Sequence, residues 1–319
     1  MRVVSWNIQF GTANTLTWAE CGLDGESTAP GALGARGARG ARLGGARESE
    51  SQSDGQPPPD VRIGGSRAAE LALADCVRVL GNTGADVLAF QEVDRRQCRS
   101  GWVDQPGVIA RTLQPLGYRW WHFAPAYNGS ASLAHLPTHP AWSQWAPGFG
   151  VMLVAKERPR RWKVADLGRG PWQWVKRESG LAGRVFGGYP RMGQKRVLLS
   201  ADFGEVAVGV THLELDMDTA SAQLRRAWDL TRSLAPTAVL TGDFNMRQEQ
   251  VCAQLDAGSE YAGGVCTFPA TDPTICIDHL IHTPAAGGSA QARSQQLPVS
   301  DHTALIVDLP ALQPPAVID

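Results

Sequence analysis

Short apolar runs recur along this chain, each bounded by Gly, Pro, Asp or Asn. They lie at 3–8, 86–91, 150–155, 196–201, 206–211, 238–241, 276–282 and 303–309, and their length and edges predict β-strands. Helical periodicity appears between some of them. Ser66 can cap a helix that places Leu73, Cys76, Val77 and Leu80 on one face and ends at Gly81. A second helical pattern runs from Thr219 to Ala235 with Leu224, Ala227, Trp228, Thr231 and Leu234 inward, and Pro236 stops it. A weaker third starts at Pro106 with Ile109 and Leu113 inward. Strands and helices mixed over this length predict a layered α/β sandwich.

Residues from about 24 to 65 break the pattern. Positions 31–42 are a Gly/Ala/Arg tract and 49–59 are polar and Pro-rich. Such composition buries too little apolar surface to offset its ordering entropy, so the segment reads as a mobile insertion. Its sharper reading is an Arg-rich arm for nucleic acid, against which stand its short length and its lack of interleaved aromatics.

Several predicted strands end on a polar side chain. Asn7 closes the first, Glu92 the second and His212 a third. Asp243 and Asn245 follow 238–241, Asp278 interrupts 276–282, and Asp301-His302 precede the last. Any one of them alone reads as an ordinary turn residue or solvated strand end. Side-by-side strands would gather them at one rim, where clustered carboxylates repel unless a cation neutralises them. Oxygen donors of this kind suit Mg²⁺ or Mn²⁺ rather than zinc. His279 and His282 alternate along the same strand as Asp278 and are expected to point elsewhere or to face solvent.

Taken in order, Ser-Trp-Asn7, Phe-Gln-Glu92-Val, Thr-His212-Leu, Gly-Asp243-Phe-Asn245, Ile-Asp278-His and Ser-Asp301-His302 resemble the endonuclease/exonuclease/phosphatase superfamily. That group includes pancreatic-type deoxyribonucleases, apurinic endonucleases, neutral sphingomyelinases and inositol-polyphosphate 5-phosphatases. The resemblance spans Asn7 to His302, and Thr267-Phe-Pro-Ala270 is similar to smaller bacterial members. It implies a four-layer αββα sandwich with two central mixed sheets, one domain over 1–319, and metal-dependent hydrolysis of a phosphodiester or phosphomonoester. Under it Glu92 would be the main metal ligand, helped by Asp301, with Asn7 supporting the metal or the phosphate. Asp243 would align or deprotonate the attacking water, and Asn245 would donate to a phosphate oxygen. His302, oriented by Asp278, would contact the phosphate or serve as acid/base, and His212 would stabilise phosphoryl charge. Which of Asp243 and His302 is the base stays open at this point.

Composition narrows the partners. The 319 residues carry a net charge of −1, so no global basic field draws the chain to nucleic acid. Positive charge is nearly all Arg, with Lys only at 156, 163, 176 and 195. Between 142 and 191, Trp142, Trp145, Trp162, Trp172 and Trp174 are interleaved with Arg and Lys. That segment either stacks bases and holds phosphates or packs Trp on the sandwich with Arg outward. Arg196, opening a strand, is a further candidate for the substrate edge. Neither a long apolar leader nor a run of membrane-spanning length occurs, and no protein partner is evident. The six cysteines lack CxxC or zinc spacing and read as reduced, with Cys76 and Cys252 as small core residues of a cytoplasmic protein. DNA or RNA is the favoured substrate. A small-molecule or lipid-headgroup phosphatase is the second reading, and a catalytically silent binding module the third.

Overall fold

The computed structural model describes residues 1–17, 19–21, 65–129, 146–176, 188–285 and 287–312. Most of the Gly/Ala/Arg insertion, together with Trp142 and Trp145, lies outside them.

Two six-stranded sheets form the centre. The strands of the first are β1 (Arg2–Asn7), β2 (Val87–Arg95), β3 (Trp120–Asn128), β4 (Gly148–Ala155), β13 (Gln291–Gln295) and β14 (Ala304–Asp308), ordered β13-β14-β1-β2-β4-β3. The second holds β5 (Arg161–Arg169), β8 (Lys195–Asp202), β9 (Val206–His212), β10 (Thr237–Asp243), β11 (Glu260–Ala262) and β12 (Asp278–His282), ordered β11-β12-β10-β9-β8-β5. Strands β6 (Trp172–Lys176) and β7 (Gly188–Met192) pair as a separate ribbon. The β1/β2 and β9/β10 pairs are parallel and the others antiparallel, so both sheets are mixed.

Period-two alternation sorts each central strand between two cores. In β1, Val4 and Trp6 pack with α1 (Gly65–Asn82) and α2 (Gln105–Leu113), while Val3 faces the opposite sheet. In β10, Ala238 and Leu240 meet α3 (Met217–Arg232), while Val239 joins Val208, Val210 and Leu280 between the sheets. A short α4 (Gln248–Cys252) packs Val251 beside that outer core. The four layers are therefore helix, sheet, sheet, helix, as the sequence resemblance implied.

Three expectations need correction. The second strand does not stop at Glu92: it runs to Arg95 through a bulge, which the apolar pattern alone does not signal. Cys252 is exposed, and Cys266 and Cys276 are joined by a disulfide rather than left as thiols. The pair stands ten positions apart, a spacing that carries no motif. His279 and His282 take the first of their two expected placements and point elsewhere: both are buried, with His279 held between the Tyr261 hydroxyl and the Met246 carbonyl and His282 Nδ1 against the Thr283 carbonyl.

Candidate active site

The alternation that builds the inter-sheet core also builds the site. Asn7 continues the inward face that starts at Val3, Asp243 the face of Val239, and His212 the face of Val208 and Val210. Asp278 shares its face with Leu280. Asn7, His212 and Asp243 are the last inward positions of their strands and Asp278 is the first of β12, which runs antiparallel to β10, so the polar groups meet in the gap between the sheets at one end.

Glu92 reaches that gap by a different device. The β2/β4 register passes from Phe90↔Met152 to Val93↔Gly150, an advance of three residues against two. The extra residue makes a bulge, and Glu92 sits in it with φ at +55°. Strain of this kind in a non-glycine residue persists only where its surroundings enforce it.

Asp243 is the hub. Its Oδ2 accepts from Asn7 Nδ2 at 2.9 Å, and its Oδ1 from the Asn245 backbone N–H at 3.0 Å. The Nε2 atoms of His212 and His302 lie 3.6 and 3.9 Å from Oδ2. Gly242, before it, has φ +146°, and a Cβ there would overlap the Thr211 carbonyl of the parallel neighbour β9. Asn245, with φ +52°, donates from Nδ2 to the Leu213 carbonyl at 2.9 Å and lies 3.1 Å from His212 Nε2. The Leu213 bond orients the amide, so His212 Nε2 accepts and the ring proton belongs on Nδ1, 3.8 Å from Glu92 Oε1.

The two histidines are held in opposite states. Burial and the nearby Arg196 guanidinium push His212 down to about 3, which keeps it neutral. Burial acts in the same direction on His302, but Asp278, Asp243 and Asp301 outweigh it and raise His302 to about 10. His302 Nδ1 donates to Asp278 Oδ2 at 2.7 Å, and the Thr267 hydroxyl donates to the same oxygen at 2.5 Å. Burial alone would raise Asp278, yet His302 and Thr267 hold it below the usual carboxylate range.

The carboxylates facing this dyad are in a different situation. Burial, with Asp301 and Asp243 beside it, pushes Glu92 up to about 7. Burial likewise raises Asp301, whose Oδ2 accepts from Gln9 Nε2 at 2.7 Å while its buried Oδ1 has no hydrogen-bond partner among the described residues. An orphaned acceptor beside two further carboxylates is a donor set that fits a hard divalent cation. Asp243, Asp278 and His302 also place ligand atoms within 4.8 Å of one another. There, however, Asp278 Oδ2 and His302 Nδ1 are already spent on each other, so Glu92 and Asp301 offer the freer atoms.

Arg196 is buried, with Nη2 3.6 Å from Glu214 Oε1 and Nε without a hydrogen-bond partner among the described residues. Arg99, which the sequence reading missed, is paired through both Nε and Nη2 with buried Asp94 and lies 3.4 Å over the Phe10 ring. Gln9 and Thr267 were missed as well. The first stands two residues after Asn7, and the second opens the Thr-Phe-Pro motif. Of the Trp-rich segment, Trp162 stacks on His122 and Arg161 pairs with Asp202, which is packing on the sandwich, whereas Trp172 is exposed.

A sequence profile of the Endonuclease/Exonuclease/phosphatase family matches residues 4–302. No curated protein matches the chain. Among solved structures, an endonuclease/exonuclease/phosphatase from Beutenbergia cavernae superposes with a TM-score of 0.56 at 18% identity, over 99% of this chain and 72% of that one. A family protein from Bacteroides thetaiotaomicron gives 0.55 at 13% identity, over 97% and 98% of the two chains. One from Leptotrichia buccalis gives 0.52 at 11%, over 97% and 99%. At such identities the likeness is one of fold.

Proposed function

The chain belongs to the Endonuclease/Exonuclease/phosphatase family, and from that premise we propose that it is a divalent-metal-dependent phosphoesterase, with nucleic acid the favoured substrate. The observation that carries the reading is the meeting of a buried, hydrogen-bonded Asp278–His302 pair with Glu92, Asp243 and Asp301, where burial and then the two neighbouring carboxylates raise Glu92.

In this reading Glu92 and Asp301 hold Mg²⁺ or Mn²⁺, with Asn7 supporting them. The ion, when bound, supplies Lewis acidity toward a phosphoryl oxygen. Asp243, fixed by Asn7 and the Asn245 backbone, aligns the attacking water and takes its proton. His302 serves the opposite end of the reaction. Its Nδ1 is tied to Asp278 and its Nε2 faces Asp243 and Asp301 at 3.9 and 3.8 Å, an acidic setting that favours the imidazolium, a proton donor. Neutral His212 is oriented by Asn245, and a bound phosphate would replace His212 Nε2 as the acceptor for that amide. Arg196, behind His212, supplies positive charge toward the phosphoryl group.

Exposed Trp172 and Trp102, together with Arg99, are the groups that favour a nucleic-acid strand over a compact phosphomonoester. Among the described residues no helix is long and apolar enough to cross a membrane. We place the protein in the cytoplasm, where the Cys266–Cys276 bridge would meet reducing conditions.

The test is hydrolysis of DNA, RNA, a generic phosphodiester and a phosphomonoester panel with Mg²⁺ and with chelator, using Glu92→Ala and Asp243→Asn as controls. Activity that survives chelation and both substitutions removes the reading. Phosphate release from small monoesters without nuclease activity moves the substrate to the second class. Tight ligand binding without turnover leaves a binding module.

A further inference from the structure

We propose that the Cys266–Cys276 disulfide is a redox-sensitive clip on the catalytic dyad, acting through Thr267 as a positioning residue for Asp278. The proposal rests on the reading of Asp278–His302 as the acid/base pair.

The bridge closes the base of a loop that touches the dyad from several sides. Thr267, next to Cys266, is fully buried and gives its hydroxyl to Asp278 Oδ2 at 2.5 Å. Cys276 stands two residues before Asp278 itself. The Phe268 ring centroid lies 5.0 Å from that of His302. The Ala270 N–H donates to the Asp301 carbonyl at 2.6 Å, and the Thr303 N–H to the Thr267 carbonyl at 2.8 Å. The loop thus grips Asp278, Asp301 and His302 together.

Asp278 depends on that grip. Its Oδ2 takes the bonds from both His302 and Thr267, while its buried Oδ1 has no hydrogen-bond partner among the described residues. A buried carboxylate held through one oxygen loses its orientation when one of those two donors withdraws. Within the loop, backbone bonds link Phe268 and Ile275 in both directions, but the covalent tie at its base is the disulfide. Both cysteines are half-buried rather than sealed, so a small thiol can reach them.

Opening the clip requires a dithiol reductant. One of its thiolates attacks a bridge sulfur and breaks the Cys266–Cys276 bond, giving a mixed disulfide and a Cys thiolate. The second thiolate of the reagent then displaces the other cysteine. The reagent leaves as a cyclic disulfide, and two electrons and two protons end on Cys266 and Cys276. Thr267 is then tied to the segment that leads into Asp278 by hydrogen bonds alone, including its N–H to the Ile275 carbonyl at 3.2 Å, and the dyad loosens.

The experiment uses the full chain. Denatured without reductant, the protein should expose four titratable thiols out of six cysteines; six would overturn the proposal. Kinetics are read in a Cys98→Ser, Cys252→Ser background, which removes the two exposed free thiols. Dithiothreitol should lower kcat at least about tenfold with KM nearly unchanged, reversibly, because misplacing a catalytic group by about an ångström has effects of this order. Thr267→Val should mimic reduction, and Thr267→Ser should restore activity. The readout independent of turnover is the low-field proton resonance of His302 Nδ1–H, sharp in the oxidised protein and broadened on reduction. A bridge that serves stability alone would lower the melting temperature and leave kcat and the resonance unmoved, which overturns the proposal. If the oxidised protein hydrolyses no phosphate ester, the functional reading fails and the resonance alone decides this inference. The Cys266→Ser, Cys276→Ser variant should resemble the reduced protein whatever the redox state. Should it misfold, the reductant arm on the intact chain decides.

Discussion

Asn7 of the first sheet donates to Asp243 of the second at 2.9 Å, a hydrogen bond that spans the gap between the two sheets. Both side chains are buried, and the Asn7 Oδ1 in turn accepts from the Gln9 N–H at 3.0 Å. The bond orients the Asp243 carboxylate between His212 and His302. Asn7→Ala should leave the fold intact and lower kcat by about 10²-fold, the scale expected when a catalytic group loses its orientation. Asp243→Asn, which removes the base while preserving shape, should lower it by about 10³-fold or more. Steady-state kinetics with circular dichroism as a fold control measure both. Equal kcat in Asn7→Ala and the natural protein removes the orienting role.

The crowded carboxylates predict how metal binding depends on pH. Glu92, raised from 4.5 to about 7 by burial and by Asp301 and Asp243, keeps its proton below neutrality when no metal is bound. A cation must displace that proton, so Mg²⁺ affinity should strengthen about tenfold per pH unit up to about 7 and then level off. The stability sign follows from the same shift. The folded state binds the proton more tightly than the unfolded chain, so the Glu92 contribution to metal-free stability is fully present below 4.5 and is lost as pH rises toward 7. The rise in melting temperature on adding Mg²⁺ should therefore be larger at pH 8 than at pH 5, and Glu92→Gln should abolish that difference. Calorimetry and thermal melts at the two pH values decide it.

Much of this site is legible in the sequence because apolar strands announce their own ends. Asn7, His212 and Asp243 each terminate an alternating run and Asp278 opens one, and the alternation fixes which sheet face they share. Glu92 is readable as a residue but not in its placement, since a one-residue bulge leaves no mark in an apolar run. The groups that hold the ligands stay hidden for a related reason. Gln9 and Thr267 act through tertiary hydrogen bonds to residues 292 and 11 positions away. Strands β3 and β5 are edge strands of their sheets with mixed, partly exposed faces, so their period is diluted. The Cys266–Cys276 bridge needs the loop's geometry to bring its two cysteines together.

The Asp278–His302 pair predicts an alkaline limit to activity. His302 is raised to about 10 chiefly because Asp278 outweighs the effect of burial. Activity that needs the imidazolium should persist until that region and decline above it. Asp278→Asn removes the largest favourable charge, so the alkaline limb should move to lower pH as well as the plateau falling. The pair's contribution to stability has the same sign. It is fully present below the unfolded histidine value of 6.5 and is lost as pH rises through about 10. On the acid side, Asp278 is held below 3.8, so its contribution is lost only as pH drops through that lowered value. A pH–rate profile of the natural protein and Asp278→Asn tests this, and an unmoved alkaline limb would falsify the assignment.

Gly242 sets the sharpest steric constraint on the site. Its φ of +146° is one that side chains rarely adopt, and a Cβ there would overlap the Thr211 carbonyl. The parallel β9/β10 pair, in register from Thr237↔Val206 to Asp243↔His212, would have to separate next to the two residues that face each other across the site. Gly242→Ala should therefore destabilise the fold by on the order of 3 kcal/mol, combining backbone strain with overpacking. Whatever protein still folds should show a kcat deficit comparable to that of Asp243→Asn, because the same displacement moves Asp243 from His212. Denaturant melts measure the first effect and kinetics at low temperature the second. A variant with unchanged stability would mean that β9 and β10 can part without cost at the point where the site is built.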